Sequence, residues 1–231
     1  MIAPTLIDTG IECVLFDLDG TLIDTAADFK QVLDTMLEQQ NLPKIASERI
    51  HQTVSDGARA LVTLAFNLEK TDSQFELRLE QLLDLYYLQL DRTAARPYPG
   101  VLSLLNKLEN STIPWGIVTN KPEKYSLRLL ENLKLLDRCR SLVCPEHVTL
   151  RKPDPESLLL ACQQLDRAPE RTVYVGDHIR DMQAAKNADI IAIAATYGYL
   201  NPNSTVAEWP ADFAISSVNE LENLLTILKF S

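Results

Sequence analysis

Cys13-Val14-Leu15-Phe16-Asp17-Leu18-Asp19-Gly20-Thr21-Leu22-Ile23-Asp24 is the stretch that organises the chain. Its apolar start, from Glu12 to Phe16, reads as a buried strand. Two carboxylates two residues apart follow it, and then a Gly-Thr turn. Side chains of an extended chain alternate faces, so Asp17 and Asp19 are expected to point the same way. Like charges aimed at one place are costly unless a cation lies between them. A second acidic pair, Asp177 and Asp181, follows another apolar run, Thr172-Val173-Tyr174-Val175-Gly176. The four acids are read as converging on one Mg²⁺ and one phosphate.

The remaining composition narrows the class. The chain has 231 residues and a formal charge of −10, with a pI near 4.8. That balance argues against nucleic acid or an anionic membrane as a partner. No apolar run has membrane-spanning length, and no charged-then-apolar leader stands at the start, so a cytoplasmic protein is expected. The four cysteines, Cys13, Cys139, Cys144 and Cys162, lack metal-site spacing, and Cys13 and Cys144 read as buried thiols.

In chain order, strand one leads to a helix whose start, Thr25 with Asp28, has the spacing of a capping box. Phe29, Val32, Leu33, Met36 and Leu37 continue it at helical spacing. Only helices are expected from there to about residue 95: Ala46–Val54, Ala58–Leu68 and Ser73–Arg92, with a break at Ser55-Asp56-Gly57. Their apolar stripes read as helix packing. Helices and strands then alternate, with strands expected at Ile113–Val118, Ser141–Cys144, Thr172–Val175, Ile190–Ala194 and Phe213–Ile215, and Ser217 with Glu220 capping a last helix. The fold class is therefore α/β: a doubly wound, parallel, Rossmann-like sheet. Residues 1–24 and 96–231 would form the catalytic core, and 25–95 an inserted α-helical cap.

Ligands of such sheets sit beyond the carboxyl ends of the strands, where strand order reverses. An order of 3-2-1-4-5 would bring three clusters to one mouth: Asp17 with Asp19, Thr119 with Asn120, and Asp177 with Asp181. The chemistry needs these types. A carboxylate can attack phosphorus, and a metal offsets its repulsion from the phosphate. Mg²⁺ takes oxygen ligands, which Asp17 and Asp177 can supply. A second acid must protonate the leaving oxygen and then activate water, and Asp19 suits that. Lys152, stiffened by Pro153 and Pro155, faces the developing charge. Thr119 and Asn120 can bind phosphate oxygens.

The motifs Asp17-Leu18-Asp19-Gly20-Thr21, Thr119-Asn120, Lys152-Pro153 and Gly176-Asp177 through Asp181 resemble, in order, those of the haloacid dehalogenase superfamily of phosphatases. Within it the chain is similar to the phosphoglycolate-phosphatase-like group. Ser55-Asp56-Gly57-Ala58-Arg59-Ala60, Cys144-Pro145-Glu146-His147-Val148 and Tyr197-Gly198-Tyr199 look closer to bacterial N-acetylmuramic acid 6-phosphate phosphatases. The resemblance implies Asp17 as nucleophile and Asp19 as general acid/base. It implies Mg²⁺ on Asp17, the main-chain carbonyl of Asp19, and Asp177, with Thr119 and Lys152 on the phosphate. Asp181 would orient Lys152 or a metal-bound water.

The Ser55–Arg59 break is expected to reach over the core, with Gly57 and Arg59 reading the far end of the substrate; a turn glycine and a solvated arginine are the plain alternative. Asp24 reads as structural, His178 as without a role, and Tyr197 as packing. The expected activity is hydrolysis of a small phosphorylated metabolite, N-acetylmuramic acid 6-phosphate or phosphoglycolate, by a monomer or weak dimer. A phosphosugar mutase of the same superfamily and a non-catalytic binding protein are the alternatives.

Overall fold

The apolar run ahead of Asp17 is a four-residue strand, β1 (Cys13–Phe16), buried throughout. In the computed structural model, which describes residues 10–201 and 204–228, it lies inside a six-stranded sheet. The chain continues through β2 (Ile23–Asp24), α1 (Ala26–Gln39), α2 (Ser47–His51), α3 (Ala58–Phe66) and α4 (Phe75–Gln89). Next come β3 (Arg96–Pro97), α5 (Val101–Asn110), β4 (Trp115–Val118), α6 (Glu123–Asn132) and β5 (Leu142–Val143). The last elements are α7 (Glu156–Leu165), β6 (Thr172–Gly176), α8 (Ile179–Asn187), β7 (Ile191–Ala195), β8 (Phe213–Ile215) and α9 (Val218–Ile227).

The sheet order is β5-β4-β1-β6-β7-β8, and every pairing is parallel. Val14 sits between Trp115 of β4 and Val173 of β6. This is the expected order with β8 added at one edge. The chain runs outward from β1 to β4 and β5, then crosses back to β6. The reversal therefore falls between β1 and β6, and the loops after these strands carry Asp17 and Asp177.

Alternation along β1 divides the apolar core. Val14 and Phe16 join a cluster with Leu104, Leu129 and Leu221 from α5, α6 and α9. Cys13 and Leu15 join a second cluster with Leu158 and Ala161 of α7 and Met182 and Ala184 of α8. Both faces are covered by helices, which is why the strands read as continuous apolar runs.

Between β2 and β3 the described residues are helical or irregular. Phe29, Leu33 and Met36 of α1, Leu61 of α3, and Phe75, Leu82 and Tyr86 of α4 belong to the same cluster as Val14 and Phe16. The expected helix from 46 to 54 is instead α2 followed by a 3₁₀ turn at Val54–Asp56. The passages into and out of this segment pair with each other: β2 and β3 are antiparallel, with Ile23 opposite Pro97 and Asp24 opposite Arg96.

Thr25 does precede α1, but its side chain makes no capping bond. Its hydroxyl donates to Asp19 Oδ1 at 2.6 Å. Asp28 is buried and accepts from Ala94 N at 2.7 Å, from the Thr93 hydroxyl and from Gln89 Nε2, tying the start of α1 to the end of α4. The expected box is therefore replaced by a bond from Thr25 back to Asp19 and by long-range bonds from Asp28 to Thr93 and Ala94. Ser217 caps α9, accepting from Glu220 N at 3.3 Å, but the Glu220 carboxylate bonds Ser216 rather than Ser217 N, so only half of the expected capping box forms.

Candidate active site

Lys152 is the centre of the site, 2 % exposed. Its ammonium donates to Val118 O at the end of β4 (2.9 Å) and to the Tyr174 hydroxyl of β6 (2.6 Å). It lies 3.0 Å from Asp17 Oδ1 and 2.8 Å from Asp181 Oδ1. Apart from that ammonium, neither oxygen has a hydrogen-bond partner among the described residues. Burial by itself would strip a proton from Lys152, but Asp17 and Asp181 outweigh it and raise its pKa.

Asp177 sits at the end of β6, 1 % exposed. Its Oδ1 accepts from the Thr21 hydroxyl (3.1 Å), and its Oδ2 from Tyr199 N (2.9 Å) and the Ser55 hydroxyl (2.8 Å). Burial first, then the charges of Asp17 and Asp181, push its pKa up to about 7. Burial also raises Asp17, with Lys152 opposing. Gly20 lets the backbone pass against this carboxylate. Its φ is +82°, and a Cβ there would overlap Asp177 Oδ2.

Oxygens of Asp17, Asp177 and Asp181 all lie within 4.8 Å of one another, and the three residues are buried. Three carboxylates share the one ammonium that touches two of them. Buried, all-oxygen and crowded with like charge, this set fits a hard divalent cation such as Mg²⁺. The third carboxylate of the set is that of Asp181, where the resemblance put Asp181 beside Lys152 and gave Asp19 a main-chain role. Asp181 in fact touches Lys152 and also closes the start of α8, accepting from His178 N at 3.1 Å.

Asp19 has a different charged partner from Asp17. Both residues lie past the end of β1, so strand alternation does not govern them. The Asp19 carboxylate turns to Lys121, with Nζ 2.9 Å from Oδ1 and 3.2 Å from Oδ2. Thr119, buried, accepts from Lys121 N at 3.2 Å. Asn120 donates its amide to Lys152 O at 3.1 Å, which joins the loop after β4 to the lysine segment.

The break between α2 and α3 does reach the core, through residues other than those anticipated. Ser55 meets Asp177, Asp56 lies 3.4 Å from His178 Nε2, and Arg180 donates to the Ser55 carbonyl. The contacts of Arg59 stay inside the helical segment: it pairs with Glu76 at 2.6 Å and lies over the Phe75 ring. Gly57 has a φ of +90°, with open space where a Cβ would stand.

Sequence reading missed Ser55, Lys121, Tyr174 and Tyr199 as parts of this site. The Tyr199 hydroxyl receives Thr25 N and Ala26 N and donates to Asp24 Oδ1, so Asp24 is structural as expected. The Tyr197 hydroxyl donates to Thr21 O at the rim. His178, given no role, caps α8 by accepting from Arg180 N.

Comparison with known proteins agrees with this geometry. Residues 14–195 match the haloacid dehalogenase-like hydrolase family. An N-acetylmuramic acid 6-phosphate phosphatase of Pseudomonas aeruginosa is 40 % identical over 215 residues, covering 93 % of this chain and 95 % of that protein. A phosphoglycolate phosphatase of Xanthomonas campestris is 36 % identical, covering 90 % and 93 %. The crystal structure of a predicted phosphoglycolate phosphatase from Haemophilus somnus has the same fold, with a TM-score of 0.81 over 94 % of this chain and 99 % of that one, at 24 % identity. With its four motifs gathered at the β1–β6 crevice, the chain belongs to the haloacid dehalogenase-like hydrolases.

Proposed function

We propose that this hydrolase is a Mg²⁺-dependent phosphomonoesterase that acts on a small phosphorylated metabolite through an aspartyl phosphate on Asp17. The observation that carries the reading is the buried contact of Lys152 with Asp17, beside Asp177 and Asp181, at the switch point of the sheet.

Asp17 is the nucleophile. Its carboxylate oxygen attacks phosphorus as the bond from phosphorus to the leaving oxygen breaks. Asp19 gives that oxygen its proton, then takes one from the water that attacks the phosphoryl group. The bond to Asp17 breaks in that second step and phosphate leaves. Lys152, fixed by Val118 and Tyr174, faces the negative charge carried by the transferring group. Thr119 binds a phosphate oxygen from the end of β4. Asp17 and Asp177 would hold Mg²⁺, with Asp181 alongside. When bound, the cation offsets the repulsion between the carboxylates and the phosphate.

The helical segment, residues 25–95, is the cap in this reading, and it meets the site at Ser55 and Tyr86. Of the two substrates expected, N-acetylmuramic acid 6-phosphate is favoured, because the relative named for it is 40 % identical along 93 % of the chain. Phosphate release from that compound and from phosphoglycolate, compared as kcat/KM, tests the assignment. N-acetylmuramic acid 6-phosphate should give the larger value, and the activity should disappear in EDTA. Turnover that persists in EDTA, or an isomerised product with no free phosphate, would overturn it.

A further inference from the structure

Lys121 has an environment that the mechanism above leaves unused. It is 8 % exposed, yet it follows Thr119-Asn120 by a single residue. Its ammonium touches both oxygens of Asp19, at 2.9 and 3.2 Å, and donates to the Tyr86 hydroxyl of α4 at 2.8 Å. The same ammonium lies 4.6 Å from the centre of the Tyr86 ring and 5.3 Å from that of Phe29. These two rings are stacked 4.3 Å apart with an interplanar angle of 2°. A buried cation at the edge of this stacked pair, pinned by a hydroxyl and a carboxylate, has little freedom to turn. The carboxylate it grips is the one assigned to proton transfer.

The two oxygens of Asp19 are not equivalent. Oδ1 accepts from the Thr25 hydroxyl at 2.6 Å as well as from Lys121. Among the described residues, Oδ2 has only the longer Lys121 contact. We propose that Lys121, held against the edge of the Phe29–Tyr86 pair, is a positioning residue that aims Asp19 so that Oδ2 carries the proton for the leaving group. The proposal rests on the phosphomonoesterase reading, in which Asp19 is the general acid. In the step concerned, the Oδ2–H bond breaks and its proton goes to the leaving oxygen. The bond between that oxygen and phosphorus breaks as the Asp17 oxygen bonds to phosphorus. Three of the side chains that hold Lys121 and Asp19 come from the helical segment: Thr25, Phe29 and Tyr86. The aim of the acid therefore depends on how α1 and α4 seat on the core.

A general acid matters for an alkyl ester, whose leaving alkoxide needs a proton, and little for p-nitrophenyl phosphate, whose leaving phenolate is stable without one. The value of kcat/KM reports the enzyme up to formation of the aspartyl phosphate. The ratio of kcat/KM on N-acetylmuramic acid 6-phosphate or phosphoglycolate, whichever is turned over faster, to that on p-nitrophenyl phosphate isolates the proton. It does not depend on how much of a variant is folded. Asp19→Ala should lower the ratio about 10²-fold or more. Lys121→Met should lower it on the order of 10-fold, and Lys121→Arg should recover part of the loss. If Asp19→Ala lowers the ratio and Lys121→Met does not, the role of Lys121 is refuted while the general acid stands. If Asp19→Ala leaves the ratio unchanged, the assignment of Asp19 fails and the proposal for Lys121 falls with it.

Discussion

Ser55, on the turn between α2 and α3, donates its hydroxyl to Oδ2 of Asp177 at 2.8 Å, across 122 residues of sequence. The helical segment thus bonds directly to a carboxylate of the candidate metal site. That bond favours the ionised form of Asp177. Ser55→Ala should therefore weaken Mg²⁺ binding near pH 7 by about 10-fold, the usual scale for a partner of a metal ligand. Isothermal titration with Mg²⁺ reads it directly, and Ser55→Thr should recover much of the loss. Equal affinity in wild type and Ser55→Ala would mean that the contact does not bear on the metal.

The pKa of Asp177 sets the pH dependence of the metal-free protein. The acid is raised from 3.8 to about 7 on folding, so the folded state holds a proton that the unfolded state has lost across that window. Stability must then fall as pH rises through it. Asp17 is raised as well, and acts with the same sign. Mg²⁺ binds the deprotonated acid, so the rise in Tm that it produces should grow as pH increases over the same range. Melting curves with and without Mg²⁺ between about pH 5 and pH 8 check both slopes. Asp177→Asn should flatten them.

Removing Lys152 strands two buried acids. Lys152→Met should cost about 3–5 kcal/mol at pH 8 by urea unfolding. The cost should be smaller near pH 5, where Asp17, its pKa raised by burial, takes up a proton more readily. Tyr174→Phe removes one neutral hydroxyl from the same ammonium and should cost about 1 kcal/mol. A loss for Lys152→Met that does not change with pH would show that the acids do not depend on this cation.

Two glycines with similar positive φ should respond differently to alanine. At Gly20 (φ +82°) the new Cβ meets the Asp177 carboxylate and the Tyr199 ring, so strain and overlap add. At Gly57 (φ +90°, ψ 176°) it meets nothing within 4 Å, and only backbone strain remains, about 1–3 kcal/mol. Gly20→Ala should lose more stability and also lose Mg²⁺ binding, whereas Gly57→Ala should keep Mg²⁺ binding. Thermal unfolding and Mg²⁺ titration of the two variants make the comparison.

The sheet was legible because each core strand is a short apolar run that ends in chemistry-bearing residues. Asp17, Thr119, Lys152 and Asp177 could be picked out for that reason, and parallel order followed from the helices between the strands. Lys121 was not legible. After Thr119-Asn120 it looks like any surface lysine, and its partners Asp19 and Tyr86 lie 102 and 35 residues away. The β2–β3 ribbon has two residues on each side, too few to show a period. Thr25 with Asp28 has the spacing of a cap, but local spacing cannot reveal that Asp19 and Ala94 take the side chains instead. At the Ser55–Arg59 break, charge drew attention to Arg59. Glu76 satisfies that charge, and the short hydroxyl of Ser55 makes the contact with the core.

Phosphate release by Asp17→Asn, with Mg²⁺ present and the fold checked by circular dichroism, tests the central claim most directly. The account predicts that the variant binds substrate but releases no phosphate, because an amide cannot form the phosphoryl intermediate. Release at the wild-type rate would contradict it.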